Sequence, residues 1–170
     1  MYIVFALLVL GLLSTAYAGL SLIVWVPTRR ADLPRILKLA DPRPNDIIYE
    51  LGCGDGRVAA FLAEHSSAKI IGLELAWPFY LISKARQLLV GQNNLAIRCH
   101  NLFKTDLSDA STVYVFGIPG KLAEKLRPKL ERELKPGAKV ISYGFAIAGW
   151  QPEVMDQPSG KAARIFVYRR

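Results

Sequence analysis

Residues 47–58 read IIYELGCGDGRV, and this stretch decides the fold of the 170-residue chain. An apolar, partly β-branched run ends at Leu51, glycines follow at alternate positions 52, 54 and 56, and Val58 opens a helical pattern. That is the layout of a buried strand turning into a helix through a loop from which side chains are excluded. Working outward, short apolar runs predict further strands over 70–75, 96–99, 113–116, 140–143 and 163–168, and 3.6-residue patterns predict helices over 57–64, 79–89 and 121–134. Short strands alternating with helices give an α/β doubly wound, mostly parallel sheet of seven strands. Gln157-Pro158-Ser159-Gly160 predicts the turn of a terminal antiparallel hairpin.

The chain begins differently. No Asp, Glu, Lys or Arg occurs before Arg29, which leaves about 28 uncharged residues where roughly 20 suffice to cross a bilayer. Residues 1–27 are therefore expected to form one N-terminal transmembrane helix, residues 28–46 a short helix and connector, and residues 47–170 the main domain. The segment lacks a basic start and stays apolar beyond the Ala16-Tyr17-Ala18 triplet, which argues against a cleaved signal peptide. Trp25 and the Arg29-Arg30 pair fit an interfacial boundary with the domain on the cytoplasmic side. The formal net charge of +8 falls entirely after this segment and suits a phospholipid bilayer. Asp32 and Pro34 fit the start of the connector helix, with Leu33, Ile36, Leu37 and Ala40 on one face. Cys53 and Cys99 are the only cysteines, and neither belongs to a metal-binding spacing, so no metal is expected.

In a doubly wound sheet the ligand lies at the carboxyl ends of the strands, beside the first strand-to-helix turn. Gly52, Cys53, Gly54, Asp55 and Gly56 form that turn. Two ligands share the geometry, a dinucleotide pyrophosphate and S-adenosylmethionine. The spacing is G-x-G-x-G rather than G-x-G-x-x-G, and Glu50 at the strand tip would repel a pyrophosphate but suit an α-amino group. Glu74, about 18 residues after the last loop glycine and followed by Leu75, is placed to accept from ribose hydroxyls. Asn101, with Leu102 beside it, stands at the end of the third strand where an adenine would lie, although asparagine is also an ordinary turn residue.

The stretches PTRRADLPRILKLA, PNDIIYELGCGDGRV, GLEL, WPFYLISKAR and VYVFGIP together resemble the Rossmann-like, seven-strand S-adenosylmethionine-dependent methyltransferases, and within them the single-span protein-lysine methyltransferases of mitochondria and their prokaryotic relatives. That resemblance implies that Glu50, Gly52, Gly54, Glu74 and Asn101 hold the methyl donor, that S-adenosylhomocysteine is the product, and that Thr28 lines the closed site. Glu50 and Asn101 stand where the family often has aspartate, and Ala76-Trp77 replaces the usual Asn or Asp after the second strand.

Methyl transfer is an in-line displacement whose main requirement is alignment with water excluded. Phe116, Gly117 and Pro119, at the end of the fourth strand, are the acceptor-site candidates, and the aromatic faces of Phe116, Tyr143 or Trp150 could stabilise a cationic amine. The sequence offers no Ser-His-Asp set and no paired carboxylates as a competing chemistry. The expected acceptor is an accessible lysine of a membrane or membrane-adjacent protein. The alternatives are a small-molecule or lipid acceptor, a non-catalytic S-adenosylmethionine-binding protein, and ribosomal RNA, nucleic acid being disfavoured because anionic lipid accounts for the charge.

Overall fold

Seven strands form one sheet in the computed structural model, which describes residues 2, 5, 9–14, 16 and 26–170. They are β1 (Ile47–Leu51), β2 (Lys69–Glu74), β3 (Leu95–Cys99), β4 (Thr112–Val115), β5 (Lys139–Tyr143), β6 (Val154–Asp156) and β7 (Ile165–Arg169), in the order β3-β2-β1-β4-β5-β7-β6. The first five run parallel, and β7 pairs antiparallel with both β5 and β6. The helices are α1 (Leu33–Ala40), α2 (Arg57–Glu64), α3 (Trp77–Val90), and a segment that starts as α4 (Pro119–Lys121), passes through a π-helical stretch (Leu122–Leu126) and ends as α5 (Arg127–Glu133). The order of winding reverses between β1 and β4, so the carboxyl end of β1 is the switch point at which such sheets bind ligands.

The central strands are apolar at almost every position because both faces are covered. Tyr49, Leu51, Leu73, Val113 and Val140 pack with Leu122, Leu126 and Leu130 on one side, whereas Ile48, Ile70, Tyr114 and Ile141 pack with Ile36, Val58 and Leu62 on the other. Gly72 lies where β2 is tightest, since a Cβ there would come within 2.7 Å of Ile97 Cδ1 and 3.0 Å of Cys53 Sγ. Arg35 fastens α1 to the terminal hairpin through the Asp156 carboxylate and the Ala163 carbonyl. Lys139 Nζ donates to the Leu39 and Ala40 carbonyls, at 3.1 and 2.6 Å, and so caps the C-terminus of α1.

Two expectations change. Asp32 precedes α1 but makes no capping bond, because Tyr143 Oη donates to its Oδ2 at 2.7 Å and Arg35 Nη1 to its Oδ1 at 2.6 Å. The transmembrane helix expected over residues 1–27 falls mostly outside the described residues, and among the described residues no helix is long and apolar enough to cross a membrane. The described part of that segment includes Ser14, whose Oγ accepts from Trp77 N at 2.9 Å at the start of α3.

Candidate active site

The loop after β1 is held open by backbone geometry that favours glycine. Gly52, Gly54 and Gly56 have φ of 75°, 55° and 73°, in the left-handed region. At Gly56 a Cβ would also stand 2.9 Å from Ser83 Cβ, so this glycine lets α2 begin directly against α3. The N–H groups of Gly52 and Cys53 both donate to Leu73 O at 2.9 Å, which ties the loop to β2.

Two carboxylates complete the frame. Glu50, in β1, is 4% exposed, and its Oε2 accepts from Ala59 N at 2.8 Å in the first turn of α2. Burial pushes its carboxyl well above the ordinary range, and the charges of Asp55 and Glu74 add to that. Glu74, at the tip of β2, accepts from Gly54 N at 2.8 Å and from Ala76 N at 2.7 Å. Burial raises its carboxyl too, against the bonds from those N–H groups. Both carboxylates retain lone pairs beyond these bonds, because an ionised carboxylate has about four acceptor sites. Asp55 differs. Burial would raise its carboxyl, but Arg57 and Arg86 outweigh burial and hold it below the usual range. Arg57 donates to it from Nε at 2.9 Å and Nη2 at 2.7 Å, and Arg86 Nη2 at 3.1 Å.

The structure brings Glu50, Gly52, Cys53, Gly54, Asp55 and Phe116 to one pocket, together with residues 26–28 and Tyr114. Glu74 adjoins it through the Gly54 bond. The Cys53 thiol also packs into the core against Gly72, and burial pushes it well up, so it is no thiolate at neutral pH. Leu75 follows the end of β2, half-buried. Asn101 Oδ1 accepts from Phe103 N at 2.9 Å, which is the turn-residue role, while Leu102 is buried in the core on the α5 side of the sheet.

Of the three acceptor candidates, only Phe116 lines the pocket. Gly117 is buried beside it, and Pro119 is exposed as the first residue of α4. Phe116 meets Tyr143 edge to face with ring centroids 4.9 Å apart and lies 6.3 Å from Phe145, which gives an aromatic wall. Trp150 is not part of it, since it packs on Tyr168 and donates from Nε1 to Glu131 across the sheet from Phe116. The reading of the sequence missed Tyr114, Phe145 and Arg86. Tyr114 was detectable by register, since it stands opposite Glu50 and shares its face.

A site with a bare backbone turn and two buried carboxylates that retain acceptor capacity fits a ligand with an ammonium, a second cationic centre and ribose hydroxyls, which describes S-adenosylmethionine. Residues 50–154 match the ANTKMT methyltransferase domain. The chain belongs to that family. It is an S-adenosylmethionine-dependent methyltransferase. A protein-lysine N-methyltransferase of Saccharolobus islandicus is 36% identical over 136 residues, covering 76% of this chain and 81% of the relative. The adenine nucleotide translocase lysine N-methyltransferase of mouse is 32% identical over 132 residues, and the match covers 75% of this methyltransferase but only 56% of the mouse protein. Among solved structures, an RNA methyltransferase from Salinibacter ruber in complex with S-adenosyl-L-homocysteine superposes with a TM-score of 0.79 at 30% identity, covering 85% of this chain and 93% of that one.

Proposed function

We propose that this methyltransferase acts on the side-chain amine of protein lysines and is held at a membrane by its N-terminal segment, with the domain on the cytoplasmic side. The observation that carries the acceptor is the 36% identity to a protein-lysine N-methyltransferase over 81% of that relative's length. The anchor rests on the uncharged run before Arg29 and on the arginine pair that follows Trp25. One contact opposes it: Ser14, in the middle of that run, bonds to Trp77 N, so a spanning arrangement requires this bond to give way.

The methyl donor supplies an activated methyl on a sulfonium centre. Glu50 would accept from its ammonium, Glu74 from its ribose hydroxyls, and the left-handed turn at residues 52–56 would let backbone approach it. Asn101 and Leu102 would border the adenine. On the acceptor side, the wall of Phe116, Tyr143 and Phe145 offers π-faces to an amine that arrives as a cation and must shed its proton before attack. Excluding water there favours the neutral amine, which gives up its proton to solvent as it enters, because desolvation disfavours the charged form.

A second reading, methylation of RNA, is favoured by the likeness to the Salinibacter protein and by the net charge of +8. Incubating membranes that contain the protein with methyl-labelled donor tests both. Label in protein, recovered as methyl-lysine on hydrolysis, supports the proposal, and label confined to RNA or to lipid refutes it.

A further inference from the structure

Residues 26–32 cross the carboxyl edge of the sheet before α1 begins, and side-chain bonds to the sheet and to α2 hold them there. Thr28 Oγ1 and Tyr114 Oη lie 2.8 Å apart, Arg57 Nη1 donates to Thr28 O at 3.2 Å, and Tyr143 Oη donates to Asp32 Oδ2 at 2.7 Å. The burial along this strap is uneven. Val26, Pro27, Arg29 and Arg30 are exposed, whereas Thr28 is 5% exposed and Tyr114 is 2% exposed. Thr28 is thus the peg of its stretch, held by its hydroxyl and its carbonyl, and Val26, Pro27 and Thr28 wall the pocket that contains Glu50 and the glycine loop.

Tyr114 sits opposite Glu50 in the pairing of β1 with β4, on the face that α1 and α2 cover. A tyrosine hydroxyl buried so deeply must find a partner, and the one it has lies outside the sheet. Burial pushes this hydroxyl well above its ordinary range even against the Thr28 bond, so it stays protonated and does not act as a base. Arg57 joins the same system, since one guanidinium binds both Asp55 of the glycine loop and the Thr28 carbonyl. The strap and the loop therefore share a cation, and whatever orders one restrains the other.

We infer that Tyr114 is a positioning residue for the methyl donor: its hydroxyl pegs Thr28, and through it residues 26–29, over the pocket formed by Glu50 and the glycine loop. The inference rests on the assignment of this pocket to the methyl donor and is independent of which acceptor is used. Glu50 and Glu74 keep their own backbone bonds when the peg is removed and only the strap that walls the pocket is freed, so the loss appears in ligand affinity and lifetime rather than in the chemistry of transfer.

The test uses the full chain in detergent and titrates S-adenosylhomocysteine by calorimetry. Tyr114→Phe and Thr28→Val should each weaken binding about three- to tenfold, the range that one net hydrogen bond between neutral groups provides. The double variant should bind within about twofold of the weaker single variant, because both changes remove the same bond. Thr28→Ser, which keeps the hydroxyl, should bind within about twofold of the parent. Amide exchange at Thr28 and Arg29 should quicken in Tyr114→Phe. A tyrosine that only supports the fold would lower the melting temperature and leave the affinity of the folded protein unchanged. Parent-like affinity in Tyr114→Phe, multiplied losses in the double variant, or a Thr28→Ser protein as weak as Thr28→Val would each overturn the inference. Should Tyr114→Phe fail to fold, the contrast between Thr28→Val and Thr28→Ser decides it.

Discussion

Replacing Glu74 by alanine separates two roles that this carboxylate combines. In the structure it accepts from Gly54 N at 2.8 Å and Ala76 N at 2.7 Å, and all of these groups are buried. In the complex it is also assigned the ribose hydroxyls. Removing it should cost binding about 1.5 to 3 kcal/mol, the worth of hydrogen bonds to a charged group, which is about ten- to hundredfold in Kd. It also leaves two buried N–H groups without their acceptor. That penalty is offset in part by no longer burying a carboxylate, so we expect a net loss of about 2 to 3 kcal/mol in stability. At about 2 to 4 °C per kcal/mol for a domain of this size, the melting temperature should drop by about 5 to 10 °C. Calorimetry with S-adenosylhomocysteine reads the first effect, and a thermal scan of the ligand-free protein reads the second. Glu74→Gln should be intermediate in both, since its amide oxygen can serve one N–H while its NH₂ faces the other. A Glu74→Ala protein that binds like the parent would sink the ribose assignment, and one that melts like the parent would show that the loop does not depend on this carboxylate.

Other outcomes follow from the same geometry. The Glu50 carboxyl is raised by folding, so the folded protein binds protons more tightly than the unfolded chain, and stability from this group is lost as pH rises from the ordinary carboxylate range upward. Glu50→Gln keeps the bond to Ala59 N, and its ligand-free form should gain melting temperature over the parent increasingly as pH is raised, while it binds S-adenosylhomocysteine less well; a constant offset at every pH would refute this. In the parent, ligand affinity should fall as pH is lowered through the raised Glu50 range, with proton release on binding seen by calorimetry in two buffers of different ionisation enthalpy. Removing residues 1–25, which spares the pocket-lining Val26, should release from membranes a domain that still binds the ligand, and a truncated domain that stays in the membrane fraction would refute the anchor.

The parts of the fold that were legible in the sequence are those where one physical requirement dominates. Strands buried on both faces must be apolar throughout, and β1, β2, β4 and β5 begin within one residue of their expected starts. Helix α2 matches residues 57–64 because Gly56 fixes where it can begin. β6 is expected only as the first arm of the terminal hairpin, with no residues assigned to it, because it has only three residues, mostly exposed, and pairs only with β7, so no apolar pattern marks it. The acids of the site were legible as residues but not as partnerships. Asp55 lines the pocket, but its partners, Arg57 and, 31 positions away, Arg86, are not legible as such in the sequence. Asp32 had the position of a helix cap, but the cap could form only if Arg35 and Tyr143 left its oxygens free; Arg35 reaches it locally, three residues along, and Tyr143 only once the sheet is assembled. Thr28 and Tyr114 belong to two separate stretches, PTRRADLPRILKLA and VYVFGIP, 86 residues apart, and the fold alone joins them.

The balance of charge at the loop explains why this glycine turn serves a methyl donor rather than a dinucleotide. Three carboxylates surround it, and only Asp55 is neutralised by side-chain cations, those of Arg57 and Arg86. The bonds that hold Glu50 and Glu74 come from backbone N–H groups, which orient a carboxylate without cancelling its charge. Burial is what chiefly raises the proton affinity of Glu50, and the charges of Asp55 and Glu74 add to it against the Ala59 N–H bond and Arg57. A pyrophosphate would meet the field of these carboxylates as a like charge, whereas a ligand with a sulfonium and an ammonium relieves it. The chain as a whole carries a formal charge of +8, so the negative pocket is a local reversal set by Glu50 and Glu74 and not a property of the surface around it. Neutralising either acid should therefore narrow the preference for S-adenosylmethionine over NAD, even in variants whose loop keeps its shape.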